Sequence, residues 1–342
     1  MTRSLGALLQ KGQRPKRTLV FCSWDGEEVG LTGSTEWGEQ FEQELKEKAV
    51  AYINVDSSTS GRDFHGSAVA SLIPEMLELS DSVSDPASGA SLHEAWKKTA
   101  AREKKEEKDA GPVNDDNLVD VRIGSGSDHT VFLNHDGVPV VELQFDGPYG
   151  VYHSMYDDFY WMNHFGDPGY RYHTVMSQLW GTLALRLADA DILPFDFSAY
   201  AAKVREFVRE VQEKPDAAKN VEMAGLLKAL DDFESEGKQL RSSAAKSLNA
   251  DSPDPAKLDA VNHAMMQVER NWLNPEGIPG RPWFKHTLYA ARYTYAHLEL
   301  PGLTEAVETQ NWESAKQQAA ILEEAVKKNT LLLRDARSHL SN

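Results

Sequence analysis

Two adjacent acids, Glu27 and Glu28, stand in the stretch "FCSWDGEEVGLTGSTEWGEQF", directly after a run of β-forming residues. Neighbouring side chains in a turn diverge, so one carboxylate can bind a metal ion while the other takes a proton from the water that the ion activates. The same pair also fits a solvated turn, because acids are mostly exposed. Zinc or a similar ion takes His, Asp, Glu or Cys ligands, and a catalytic site leaves one position for water. Cys22 is the sole cysteine, so any zinc site here must be built from His and carboxylates. The candidates are Glu28, Asp56 in "VAYINVD" and His153 in "YGVYHSMYDDF".

Something rigid must bring these residues together. "TLVFCSW" reads as a short buried strand, "STEWGEQFEQELKEK" as a helix, and "VAYINVD" as a second strand. An apolar helix around Leu72 to Leu79, a charged loop and a third strand, "GVPVVELQF", follow. Strands alternating with helices predict an α/β fold whose sheet is covered on both faces, with chemistry at the carboxyl ends of the strands. Asp25, Glu27, Glu28 and Asp56 fall at such ends. The charged segment "KKTAAREKKEEKDAG" lacks an apolar stripe and reads as a solvated helix end or mobile loop.

Beyond "LPFDFSAY" the pattern becomes helical. Tyr200, Val204, Phe207, Val208 and Val211 share one face; Leu258, Val261, Met265, Val268 and Trp272 share another; Ala315, Ala319, Leu322 and Val326 form a third. With a helix around Leu226 to Phe233, they predict an all-α bundle of about four members. The expected division is therefore residues 1–194 and 195–342.

Composition narrows the partners. With 36 basic against 53 acidic residues and a net charge of −17, the chain is a poor match for nucleic acid, whose phosphates demand Lys and Arg. A lone cysteine permits no intramolecular disulfide. No run is apolar for long enough to cross a bilayer, and "MTRSLGALLQKGQRPKRT" has no signal-peptide core. That opening segment reads as the end of an amphipathic helix carrying Leu5, Leu8 and Leu9, broken at Gly12 and Pro15. Such a start suggests a sequence lacking an upstream portion.

Four blocks, "PKRTLVFCSWDGEEVGLTGSTEWGE", "VAYINVDSS", "IGSGSDHTVFLNHDGVP" and "YHSMYDDFYWMNHFGDPGYRYH", resemble in order and spacing the glutamate carboxypeptidase and transferrin receptor group of dinuclear-zinc exopeptidases. The resemblance continues through "LPFDFSAYA" and "ERNWLNPEGIPGRPWFKHTLYA" into that group's helical dimerisation domain. It implies the C-terminal part of a catalytic domain over 1–194 and a dimerisation domain over 195–342, in a homodimer acting on peptides or dipeptides. It makes Glu27 the general base, Glu28 and His153 ligands of one zinc, and Asp56 a ligand of the other. Tyr152 would donate to the tetrahedral oxyanion, and Ser127 would line the substrate cleft. Glu36 and Glu39 match positions that hold calcium (Ca2+) in some relatives.

The resemblance also implies two further ligands, a histidine on the other zinc and an aspartate bridging both. No His, Asp or Glu precedes Asp25, so the expectation is an incomplete centre with weak zinc binding and little activity. The alternative is a non-catalytic dimerising or binding module of the transferrin receptor type. Where glutamate-selective members carry an arginine pair and a lysine, this sequence has Glu142, Gln144 and Thr294, which favours a broader aminopeptidase or dipeptidase. Relatives are mostly extracellular or periplasmic; the sequence itself fixes no compartment.

Overall fold

The computed structural model describes residues 1–106, 111–249, 254–293 and 296–340. Helix α1 (Thr2–Gln10) spans the expected amphipathic segment and ends before Gly12, whose φ is 80°. Residues 18–24, expected as the first strand, take no regular secondary structure and join no sheet among the described residues. A strand is stable only when a neighbour takes up its N–H and C=O groups. Here Val20 and Phe21 are exposed instead, and Trp24 anchors the segment by donating its indole N–H to Tyr52 Oη at 2.9 Å.

Helices α2 (Thr32–Gln40) and α3 (Glu42–Lys48) follow, then strands β1 (Tyr52–Asn54) and β2 (Asp63–Ala68), and helices α4 (Ile73–Asp81) and α5 (Leu92–Glu106). Next come α6 (His129–Asn134), β3 (Val140–Asp146), the single turn α7 (Phe159–Trp161) and the long α8 (Arg171–Asp189). The sheet order is β1-β3-β2, with β1 parallel and β2 antiparallel to the central β3. β3 is the Val-rich run that the sequence marks. β2, "DFHGSA", went unrecognised because only Phe64 among its inward residues is large. Gly66 explains why: a Cβ there would lie 2.5 Å from Met76 Cε and 3.1 Å from Trp96.

Side chains alternate across a strand, so the sheet has two coats. On one face Phe145 meets Phe64 and Tyr172 of α8, and Phe64 meets Trp96 of α5. On the other, Tyr52 stacks on Phe132 of α6 at 4.1 Å. The charged segment continues α5 as a largely exposed helix to Glu106, tied by Arg102 to Asp63 at 2.8 Å; residues 107–110 lie outside the described residues.

The second part contains α9 (Phe197–Glu213), α10 (Ala217–Asn220), α11 (Ala224–Leu248) and α12 (Pro255–Arg270), the hairpin β4 (Tyr289–Ala291) and β5 (His297–Glu299), α13 (Pro301–Glu308) and α14 (Trp312–Leu340). Helices α9, α11, α12 and α14 form the four-membered bundle, and the apolar faces read from periodicity are the buried ones. Asp196 caps α9, accepting from the N–H groups of Ser198 and Ala199, and Asp254 caps α12 ahead of Pro255. Such caps contribute about 1 kcal/mol each.

One apolar cluster runs from Phe64 in the sheet to Ala336 in the bundle. Polar ties reinforce it. Tyr200 of α9 donates to Glu269 of α12 at 2.5 Å, and His286 meets the same oxygen at 2.9 Å, all three fully buried. Arg270, nine-tenths enclosed, donates to the carbonyls of Leu45 (3.2 Å), Lys46 (3.3 Å) and Ala49, the open end of α3. Among the described residues no helix is long and apolar enough to cross a membrane.

Candidate metal centre

The turn after Asp25 is built by glycines. Gly26 (φ 69°) opens, and Gly30 (φ 98°) closes, a 3-10 turn over Glu27–Val29. Both positions lie in the left-handed region that side chains with a Cβ disfavour. Gly33 N–H donates to Asp25 O at 2.9 Å, folding α2 back against the turn. The two carboxylates are thereby held at a fixed corner rather than on a free loop.

His153 reaches that corner from the loop after β3. Its Nε2 lies 3.0 Å from Glu28 Oε1, with both side chains substantially exposed. The His153 backbone is left-handed (φ 57°), and its ring stacks on Tyr152 at 3.9 Å and 20°. A non-glycine residue held there costs of order 1 kcal/mol or more, and such strain concentrates at functional sites. The loop also presents Met155, Tyr156 and Phe159 to solvent.

Asp56 stands just past the carboxyl end of β1. Its influence is electrostatic: burial first, then Asp56, Glu28 and Asp128 push the Glu27 carboxyl above its ordinary value, against an opposing pull from His153. Five ionisable groups thus share one field. Asp128 enters from the start of α6. Burial raises its carboxyl despite a hydrogen bond from Ser34, and its Oδ1 is buried without a hydrogen-bond partner among the described residues.

Ser127 is 3% exposed, and its Oγ accepts from Asn54 Nδ2 at 3.0 Å. Asn54 also donates to Glu142 Oε1 at 3.1 Å. Burial raises the Glu142 carboxyl, with Asp56 adding to the effect against the Asn54 bond. Gln144 sits opposite His65 in the β2–β3 ladder, and Thr294 lies outside the described residues. On α2, Glu36 is exposed, while Glu39 Oε1 accepts the Trp283 indole N–H at 2.6 Å.

The structure therefore joins Glu28 directly to His153 and couples Glu27 to Asp56, Glu28 and His153, while Glu39 faces Trp283 instead. Sequence reasoning missed Asp128 and Asn54. Asp128 directly follows Ser127 in "GSGSD", and Asn54 is a lone polar residue in the apolar run "VAYINVD", a weak signal in each case. A carboxylate against an imidazole, as Glu28 and His153 are, is a donor pair suited to a dication; Asp56 and Asp128 act on Glu27 through charge, and among the described residues these side chains do not gather into a set of three within ligand reach of one another.

Comparison with known proteins identifies the family. Residues 1–164 match peptidase family M28, and residues 221–334 match the transferrin receptor-like dimerisation domain. The chain is 33% identical over 346 residues to "Probable glutamate carboxypeptidase LAMP1" of Arabidopsis thaliana, covering 98% of this chain and 48% of that protein. It belongs to the glutamate carboxypeptidase and transferrin receptor-like group of metallopeptidases. "Aminopeptidase NAALADL1" of Rattus norvegicus is 31% identical over 322 residues, covering 90% of this chain and 42% of the relative. "Inactive zinc metalloprotease C354.09c" of Schizosaccharomyces pombe is 29% identical over 319 residues, covering 89% and 37%. The chain thus spans about half the length or less of these relatives. The α/β part followed by a helical bundle is the arrangement expected of this group.

Proposed function

We propose that the chain carries part of a zinc-dependent exopeptidase centre. The observation that carries this reading is the Glu28–His153 pairing beside Glu27. Glu28 and His153 would hold one zinc and Asp56 the other. Zinc held there would lower the pKa of its water and so supply a nucleophile for a peptide carbonyl near neutral pH. Glu27, its carboxyl raised by burial and then by its acidic neighbours, is suited to take that water's proton and pass it to the leaving amine. Tyr152, stacked on the His153 ring, would donate a hydrogen bond to the oxyanion. Ser127 lines the cleft in this reading, its hydroxyl oriented by Asn54.

Glu142 sets the preference. An acid beside Asp56 repels an acidic substrate side chain, so the reading favours aminopeptidase or dipeptidase action over glutamate-type substrates. Glu36 and Glu39 offer two carboxylates to calcium, which takes six to eight oxygens. The match at 221–334 supports a homodimer through the terminal helices. Assayed alone, these 342 residues should bind zinc weakly and turn over slowly, because the histidine and bridging aspartate of the group have no counterpart before Asp25.

The second reading, a non-catalytic dimerising module, draws on the relative named inactive. Zinc titration, with turnover of neutral and acidic dipeptides and aminoacyl anilides, separates the two. Zinc-dependent hydrolysis, lost in Glu27→Gln, supports the peptidase reading. Dimers that neither bind zinc nor hydrolyse any of these substrates overturn it.

A further inference from the structure

A second set of ligand-type side chains closes around another point. Glu42 at the start of α3, and His135 and Asp136 just after α6, each offer one ligand atom within 4.8 Å of the others. His135 and Asp136 are buried and Glu42 is half-buried. The wall is close: a Cβ on Gly38 of α2 would lie 3.3 Å from Asp136 Oδ2.

Two independent features point to a cation. Asp136 is 0% exposed, yet neither carboxylate oxygen has a hydrogen-bond partner among the described residues. Buried polar oxygens are nearly always satisfied, and an unpaired buried carboxylate is costly. Separately, Lys285 Nζ lies 2.8 Å from Glu42 Oε1 and 2.9 Å from His135 Nε2. A positive charge already bridges two of the three residues. Lys46 adds a second ammonium to Glu42.

The imidazole is oriented for coordination. His135 Nδ1 lies 3.0 Å from the Trp283 carbonyl, which fixes the proton on Nδ1. Nε2 then turns its lone pair towards Lys285. Metal-binding histidines are held in this way, through a hydrogen bond from the other ring nitrogen.

We propose that Glu42, His135 and Asp136 form a divalent transition-metal site, separate from the Glu27 corner, in which the Lys285 ammonium is a resident cation that the metal displaces. One imidazole with two carboxylates suits Zn2+ or Co2+ better than Ca2+ or Mg2+. Three protein ligands leave a fourth position open. The Lys285 side chain is 19% exposed, and its flexible stem can carry the ammonium out to water as the ion enters. The site lies where α3 and α6 meet the 281–285 segment, so its role is to fasten rather than to catalyse.

The test uses the full chain carrying Glu28→Gln and His153→Ala, stripped with EDTA and titrated with Co2+ by visible absorption and with Zn2+ by calorimetry. The expected result is one equivalent remaining, lost on adding His135→Gln. Adding Lys285→Ala instead should tighten binding at least tenfold and let Zn2+ raise the thermal midpoint. If His135→Gln does not fold, Glu42→Gln replaces it. Stoichiometry unchanged by either ligand substitution, or no Co2+ binding in the Lys285→Ala protein, overturns the proposal. Zinc at the Glu27 corner is measured separately in a His135→Gln chain with Glu28 and His153 intact, so the two sites can fail independently.

Discussion

His153 Nε2 and Glu28 Oε1 meet at 3.0 Å across the mouth of a glycine-bounded turn. The contact joins a strained backbone position to an exposed carboxylate, and this allows coordination to be separated from folding. In His153→Gly the left-handed φ becomes unstrained, offsetting the lost ring stacking. Urea unfolding in EDTA should therefore show a change within about 1 kcal/mol. Zinc affinity, measured by competition with a chromogenic chelator, should fall by more than tenfold.

Glu27 and Glu28 are adjacent but assigned different work. Glu27→Gln should leave zinc affinity close to the parent value while any hydrolysis drops by ~10²–10⁴, the usual contribution of a placed base. Glu28→Gln should lose both together. Parallel metal analysis and steady-state kinetics read the split.

His129 supplies a pH prediction. Burial lowers its imidazole to about 3, with His297 adding to the effect, and neither ring nitrogen has a hydrogen-bond partner among the described residues. A group depressed on folding contributes stability that is full above its unfolded value, near 6.5, and is lost as pH falls towards 3. Chemical unfolding between pH 7 and 4 should show this decline. His129→Leu should flatten it.

Glu269 receives both the Tyr200 hydroxyl and His286 Nε2 in a dry site. Glu269→Ala strands both partners and should cost about 3–5 kcal/mol. Tyr200→Phe removes one donor and should cost about 1–3 kcal/mol. Guanidinium midpoints for the single and double substitutions will show the two effects to be less than additive.

At Gly66 the added methyl of Gly66→Ala meets Met76 and Trp96. Overpacking here should cost about 1–3 kcal/mol. Near-ultraviolet circular dichroism of Trp96 and the thermal midpoint report it.

The bundle was legible because helical periodicity gathers many large residues on one face, as Tyr200 to Val211 do. The Glu28–His153 contact could be anticipated for a different reason: both are chemically loud residues set at breaks in apolar runs. β2 was not legible, since packing against Met76 and Trp96 requires Gly66 and removes the apolar signal itself. Residues 18–24 have strand composition, but pairing depends on a neighbour that a local pattern does not specify. The Glu42–His135–Asp136 cluster is silent in the sequence because more than ninety residues separate Glu42 from the other two members.

Arg270 sits on the bundle side of the expected boundary, yet its guanidinium satisfies carbonyls at the end of α3. Cutting the polypeptide near Pro194 would therefore orphan the last turn of that helix and open the shared apolar seam beneath it. The two halves are not exchangeable modules: a graft that swaps the bundle for another must bring its own cation to the same spot, or leave the carbonyls of Leu45, Lys46 and Ala49 without that donor.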